Sequence, residues 1–185
     1  MNIVESNLTI TMIRSNLLNI PQFELPEGIS MRWYEGADVG LWVEIQSQAE
    51  QRLPISKEVF IKEFGTDNSL LEHRQCFLFD RQGRGVGTAT AWFDYNYNGA
   101  YYGRIHWVAI IPDMQGQGLA KVLMTVVCNR LHSLGHARAY LTTSTERVAA
   151  IRLYYQFGFV PEIRNARDRA IWDELEDKVL SDVRL

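Results

Sequence analysis

Val108-Ala109-Ile110-Ile111-Pro112-Asp113-Met114-Gln115-Gly116-Gln117-Gly118-Leu119-Ala120 joins a strand-like apolar run to a long helical pattern through a turn with two glycines. The first N–H groups of a helix find no intrahelical acceptor, and the helix dipole adds partial positive charge there. Gly116 and Gly118 let the backbone approach a bound group closely, and Ala120 keeps the first helical turn slim. The junction therefore reads as a cradle for phosphate or pyrophosphate, with a plain strand–helix turn as the alternative. A nucleotide P-loop needs Gly-Lys-Ser/Thr after a four-residue spacer, and no Lys-Ser/Thr pair follows Gly118. A dinucleotide fingerprint needs a glycine at position 121, which is Lys121, and should open the fold rather than follow several strands. What remains is a pyrophosphate site with no magnesium-binding hydroxyl in register, which suits coenzyme A (CoA) better than ATP.

Downstream of this turn, Leu119, Leu123, Val127 and Leu131 form one helical row, and Gly135 stands at the expected C-terminal cap. A strand is expected over 137–142. Thr143-Ser144-Thr145-Glu146 matches a capping box, predicting a helix that runs to Phe157 and stops at Gly158. A last strand over 159–163 and a charged helix over 166–180, with Leu175 and Val179 on its apolar face, complete the chain. Upstream, the pattern predicts a strand over 101–111, a turn over 94–99, and a hairpin pairing 76–79 with 87–93. Two helices precede it: one over 38–52 carrying Leu41, Trp42 and Ile45, and one from the cap Ser56 to Gly65. Residues 30–34 read as a short strand, and the loosely alternating segment 8–25 as a possible edge strand. The whole is a mixed α/β sheet with one strand–helix–strand unit at its centre.

Composition narrows the function. The chain has 185 residues, 46% apolar and 22% charged, which fits one globular domain. Nineteen basic against 22 acidic side chains leave a net charge of −3, without the basic footprint of a nucleic-acid binder. No apolar run reaches the roughly 18 residues of a membrane span, so no membrane partner is expected and the default compartment is the cytoplasm. Cys76 and Cys128 lie far apart with no ligand-spaced partners; they read as buried hydrophobes, with no metal site expected.

Gln115-Gly116-Gln117-Gly118-Leu119-Ala120 resembles the Gln/Arg-x-x-Gly-x-Gly/Ala signature of the GCN5-related N-acetyltransferase (GNAT) superfamily. Ala150-Ile151-Arg152-Leu153-Tyr154-Tyr155-Gln156-Phe157-Gly158-Phe159 is similar to the family's Ala-Ile-x-Leu-Tyr-x-x-x-Gly-Phe segment, at the family's usual separation. The resemblance covers about 30–163. It implies a GNAT fold: a twisted, mostly antiparallel mixed sheet with a central acetyl-CoA-binding strand–helix–strand unit and flanking helices. Residues 1–29 would be an N-terminal extension, 30–163 the N-acetyltransferase domain and 164–185 a packed C-terminal helix. The terminal segments are also plausible homodimer contacts.

The resemblance further implies acetyl-CoA as co-substrate and a primary amine of a small molecule or peptide as acceptor, with direct attack in a ternary complex. The N–H groups of Gln115, Gly116, Gln117, Gly118, Leu119 and Ala120 would bind the pyrophosphate. The pantetheine arm would run along Val108, Ala109 and Ile110, where family sheets splay, and an N–H near Val108 would polarise the thioester carbonyl. Tyr154 takes the position of the acid that protonates the departing thiolate. Many members use a central-strand Glu as base, but residues 101–111 contain no acid. His106 is the candidate instead, placed by alternation on one face with Arg104, Val108 and Ile110, with packing as its other reading. Arg147 replaces a frequent Asn, and could meet a CoA phosphate or lie in solvent. His73, His132 and His136 read as surface residues. The aromatics at 92, 93, 95, 97, 101, 102 and 107 read as core and cross-strand pairs, or as a wall for a cationic amine. The alternative function is a non-catalytic CoA-binding module.

Overall fold

Alternating apolar residues and turn-forming dipeptides build the first half of the chain into antiparallel strands. A computed structural model describes residues 3–50 and 52–180; residues 181–185 of the C-terminal segment and 1–2 of the N-terminal one lie outside the described residues. β1 (Thr9–Arg14) and β2 (Ser30–Trp33) are followed by the helices α1 (Val39–Ala49), α2 (Lys57–Phe64) and α3 (Asn68–Glu72). β3 (Gln75–Phe79), β4 (Gly85–Tyr97) and β5 (Ala100–Ile110) continue the meander that begins at β2. A 3-10 turn over Pro112–Met114 leads into α4 (Leu119–Ser133) and β6 (Ala139–Ser144). α5 (Val148–Gln156), the two-residue β7 (Val160–Pro161) and α6 (Ala166–Leu180) end the fold. All seven strands form one sheet, in the order β2-β3-β4-β5-β6-β1-β7. β5 and β6 pair in parallel because α4 carries the chain back between them, whereas the neighbouring ladders are antiparallel. This is the mixed, mostly antiparallel sheet with flanking helices that the motifs imply.

The two faces are covered by different helices. A Cβ on Gly103 of β5 would stand 2.9 Å from Leu131 of α4, so this face receives α4. On the opposite face Trp42 of α1 meets Trp107 edge-on at 5.1 Å, and Phe64 of α2 meets Trp92 at 5.4 Å. Both layers are buried: Trp42 is fully inaccessible, as are Leu123, Val127 and Leu131 of α4. No helix among the described residues is long and apolar enough to cross a membrane. Cys76 and Cys128 are buried, and burial pushes both thiols up to about 12.

Several elements differ from the sequence expectation for identifiable reasons. β1 is not an edge strand: it lies between β6 and β7, with Met12 opposite both Leu141 and Pro161 and fully buried. β4 continues to Tyr97, so the turn shrinks from 94–99 to Asn98-Gly99, whose φ values of 52° and 74° are the paired positive angles of a type I′ hairpin. The five-residue α3, capped by Asp67, is too short to announce itself by periodicity. Pro161 offers no N–H, and the last strand contracts to two residues. His136 is 2% exposed rather than superficial, because it lies beside Arg74 and the Tyr101 ring.

The capping box fails instructively. Ser144 stays in β6 opposite Thr9, and α5 starts only at Val148, with no side-chain cap at Arg147. The fully buried Thr145 hydroxyl instead accepts from the Leu8 N–H at 3.0 Å and donates to the Ile3 carbonyl at 2.8 Å. It fastens the N-terminal segment to the β6–α5 junction. Thr145→Val keeps the shape but strands both backbone groups, so stability in urea should drop by about 1–3 kcal/mol. An unchanged unfolding midpoint would show that the fastening is energetically idle.

Candidate active site

The cradle has the geometry its glycines suggest. Gly116 and Gly118 have φ of 76° and 80°, a left-handed backbone that side-chain-bearing residues adopt only under strain, and Gly118 caps α4. No heavy atom would lie within 4 Å of a Cβ at either position, so the space above the turn is open. The N–H of Gln115 is taken by the Pro112 carbonyl at 3.2 Å, and its side chain donates to the Ile110 carbonyl at 3.0 Å. Gln115 thus shapes the loop. The amides of Gly116, Gln117 and Gly118, and those of Leu119 and Ala120 in the first turn of α4, have no backbone acceptor among the described residues.

Beside the cradle the sheet opens. β5 and β6 pair at Gly103–Ala139, Arg104–Tyr140 and Ile105–Leu141 and then part, although both strands continue. The gap is a cleft of about 740 Å³ bordered by His106, Val108 and Ala109 of β5, Thr142 and Ser144 of β6, and Tyr154 of α5. Ile110 and the Gln115–Ala120 turn do not border this cleft. A bulge marks the parting: Thr88 and Thr90 of β4 face Ala109 and His106, so β5 holds one extra residue. Trp107 has φ of 51° there, and its carbonyl accepts from the buried Gln46 side chain at 2.8 Å. An aromatic residue in this region stores strain that local contacts must hold.

The bulge corrects the alternation argument for His106. Arg104 and His106 do share a face, but Ile110 lies on the other: it pairs with Gly87, whose added Cβ would meet both Ile110 and Leu123 of α4. His106 and Trp107, although consecutive, both turn toward α2. There the Nε2 of His106 lies 2.9 Å from the Glu63 carboxylate, and Nε1–H of Trp107 donates to the same oxygen at 3.2 Å. Burial pulls the His106 imidazole down to about 4, against the opposing pull of Glu63. The hydrogen bond from His106 holds Glu63 at about 2, despite partial burial. Near neutral pH the pair is a neutral imidazole donating to a carboxylate. Glu63, which borders the cleft, was missed by sequence reasoning, since it falls on the polar side of α2 and nothing local marks its partner.

This arrangement sets an expectation for pH. The folded imidazole binds its proton less readily than the unfolded one, so acidification from about 6.5 toward 4 should weaken the fold, with His136, also pulled down to about 4 by burial, contributing in the same window. His106→Gln should lose part of that dependence. An NMR titration placing the His106 midpoint near 6.5 would contradict the neutral assignment.

Tyr154 enters the cleft from α5, with its ring 6.4 Å from Phe159. Burial pushes the phenol up to about 12, so it keeps its proton across ordinary pH. Tyr155 faces away, bonding Glu176 of α6 at 3.2 Å. Arg147 pairs with Glu50, and Arg52 with Glu146, joining the loop after α1 to the β6–α5 junction at the border of the cleft. Of the seven hairpin aromatics only Trp107 borders the cleft. The others form cross-strand and stacked contacts such as Tyr95–Tyr101 and Tyr97–Tyr140.

Residues 41–159 match the acetyltransferase (GNAT) family. The chain is 27% identical over 146 residues to the mycothiol acetyltransferase of Streptomyces coelicolor, covering 77% of this chain and 46% of that protein. The mycothiol acetyltransferase of Thermobispora bispora is 27% identical over 145 residues, covering 76% and 49%. The chain thus spans about half the length of the curated relatives it matches. Among solved structures, a GCN5-related N-acetyltransferase from Sphaerobacter thermophilus gives a TM-score of 0.69 at 23% identity, over 83% of this chain and 48% of that one. The ribosomal-protein-S18-alanine N-acetyltransferase of Escherichia coli gives 0.59 at 23% identity, over 73% and 79%. These structures share the fold, and the family match spans the opened sheet, the cradle and Tyr154 together. The chain belongs to the acetyltransferase (GNAT) family.

Proposed function

We propose that the chain transfers the acetyl group of acetyl-CoA to a primary amine by direct attack within a ternary complex. The observation that carries this reading is the parted β5–β6 pair, which leaves one cleft with Tyr154 and the Glu63–His106 pair on its border. The open N–H cradle at Gly116–Ala120 and the unpaired strand edges fit acetyl-CoA, whose thioester supplies the activated acyl group. The five free amides would hold the pyrophosphate at the N-terminus of α4. The strand edge at Val108, Ala109 and Ile110 would take the pantetheine amides as an added strand, and an N–H near Val108 would polarise the thioester carbonyl.

Glu63 would receive the acceptor's ammonium, and the proton would leave through water held by the Glu63–His106 pair, since both groups hold a proton only weakly. The neutral imidazole donates Nε2–H to Glu63, which fixes the ring and leaves Nδ1 with the lone pair. Tyr154 would supply a proton to the departing thiolate; with its phenol near 12 it stays neutral and keeps that proton until the thiolate forms. Both cysteines are buried and border no part of the cleft, which favours direct attack over an acyl-cysteine route. The reading is tested by thiol release from acetyl-CoA across a panel of primary amines. Amine-dependent release with acetylated product supports it. Tight CoA binding without turnover on any amine would instead identify a non-catalytic CoA-binding module.

A further inference from the structure

The charges around the cleft fall into two groups. At its border, Arg52 pairs with Glu146 and Arg147 with Glu50. Farther in, two opposite charges act on each other across the cleft without forming an ion pair. The Glu63 carboxylate accepts from two neutral donors, His106 and Trp107. The Arg104 side chain, which also borders the cleft, makes no ion pair or hydrogen bond among the described residues, and its Nε is buried without a partner. Its guanidinium lies 5.7 Å from the centre of the Tyr140 ring, which holds it on the same face of the sheet as His106. Arg104 and Glu63 do not reach each other within ion-pair distance. A partly buried guanidinium with no hydrogen-bonded acceptor gains a charge-assisted contact from an anion that reaches it.

Strand alternation places Thr142 and Ser144 on the same face as Tyr140, continuing from Arg104's neighbour along β6. The Ser144 hydroxyl is likewise buried without a partner. On this face the cleft therefore presents a carboxylate, a guanidinium and an unused hydroxyl. We propose that the acceptor is a zwitterion, an amine that carries a carboxylate, with its ammonium at Glu63 and its carboxylate at Arg104. The inference rests on the acetyltransferase reading and adds the substrate class to it. Arg104 and His106, the partner of Glu63, stand two residues apart on one face of β5, about 7 Å along the strand, so both charges serve the same stretch of cleft.

The test compares amines that differ only in the anionic end: β-alanine with propylamine, and 4-aminobutyrate with butylamine. The wild-type protein should show kcat/KM at least roughly tenfold higher for the amino acids, the scale of one charge-assisted contact. In Arg104→Gln the ratio should collapse toward one, and in Arg104→Lys it should be partly restored, with CoA affinity by calorimetry checking that each variant is folded. Equal kcat/KM within both wild-type pairs, or a ratio unmoved by Arg104→Gln, would overturn the proposal. Phosphoethanolamine is the third arm: preference for it over β-alanine would assign the site to phosphate instead and overturn the carboxylate. If no amine releases CoA, the transfer reading fails on its own. Calorimetry of β-alanine against propylamine on the CoA-bound protein then decides the zwitterion site, with stronger binding of β-alanine supporting it and equal binding overturning it.

Discussion

Gly118→Asp is expected to reduce CoA affinity by 100-fold or more while leaving the fold nearly as stable as before. Gly118 sits at φ of 80° as the cap of α4, where a side chain brings strain of about 1–2 kcal/mol. Aspartate is among the residues that tolerate this region best, and its carboxylate at a helix N-terminus offsets part of that strain by about 1 kcal/mol through capping and the dipole. The same carboxylate would occupy the free amides of the turn and repel the pyrophosphate. Stability and ligand affinity therefore separate in this variant. Gly118→Ala brings the strain without the charge, and its affinity should fall much less. Calorimetry with CoA reads the difference, and an aspartate variant that binds as tightly as the parent protein would show that the cradle is not where the coenzyme is held.

The turn was legible in the sequence because its demands are local: glycine supplies a positive φ, and a helix start supplies free amides, whatever the remainder of the chain does. The helix at 166–180 was legible for a similar reason, since its apolar row needs only a surface to meet. The bulge at Trp107 was not. Alternation carries no mark of an inserted residue, and the register slips only because β4 and Gln46 of α1 together hold the extra residue in place. Assigning Ile110 to the face of His106 was the direct consequence. Glu63 stayed hidden because its partners lie 43 and 44 residues away, joined to it only when α2 lies across β5. Thr145 was misread because a threonine hydroxyl can cap a helix or fasten a neighbouring segment equally well, and the arrival of Ile3 and Leu8 decides the matter.

Tyr154→Phe should lower kcat on the order of 100-fold or more while changing CoA affinity only slightly. The ring remains, with its contact to Phe159, so the variant should fold and close over the same core. The loss is one hydroxyl whose proton the thiolate needs. Burial pushes that phenol up to about 12, which has a kinetic signature: the wild-type kcat should show no alkaline decline from this group between pH 7 and 10. A phenol at its ordinary value of 10 would begin to lose its proton, and the rate with it, inside that range. The leaving group offers an independent readout. An acetyl thioester whose thiol is more acidic than CoA depends less on the donated proton, so the gap between parent and variant should narrow with such a donor. If Tyr154→Phe leaves kcat intact with acetyl-CoA itself, the thiolate departs without this proton, and Tyr154 serves only to pack α5 against the opened sheet.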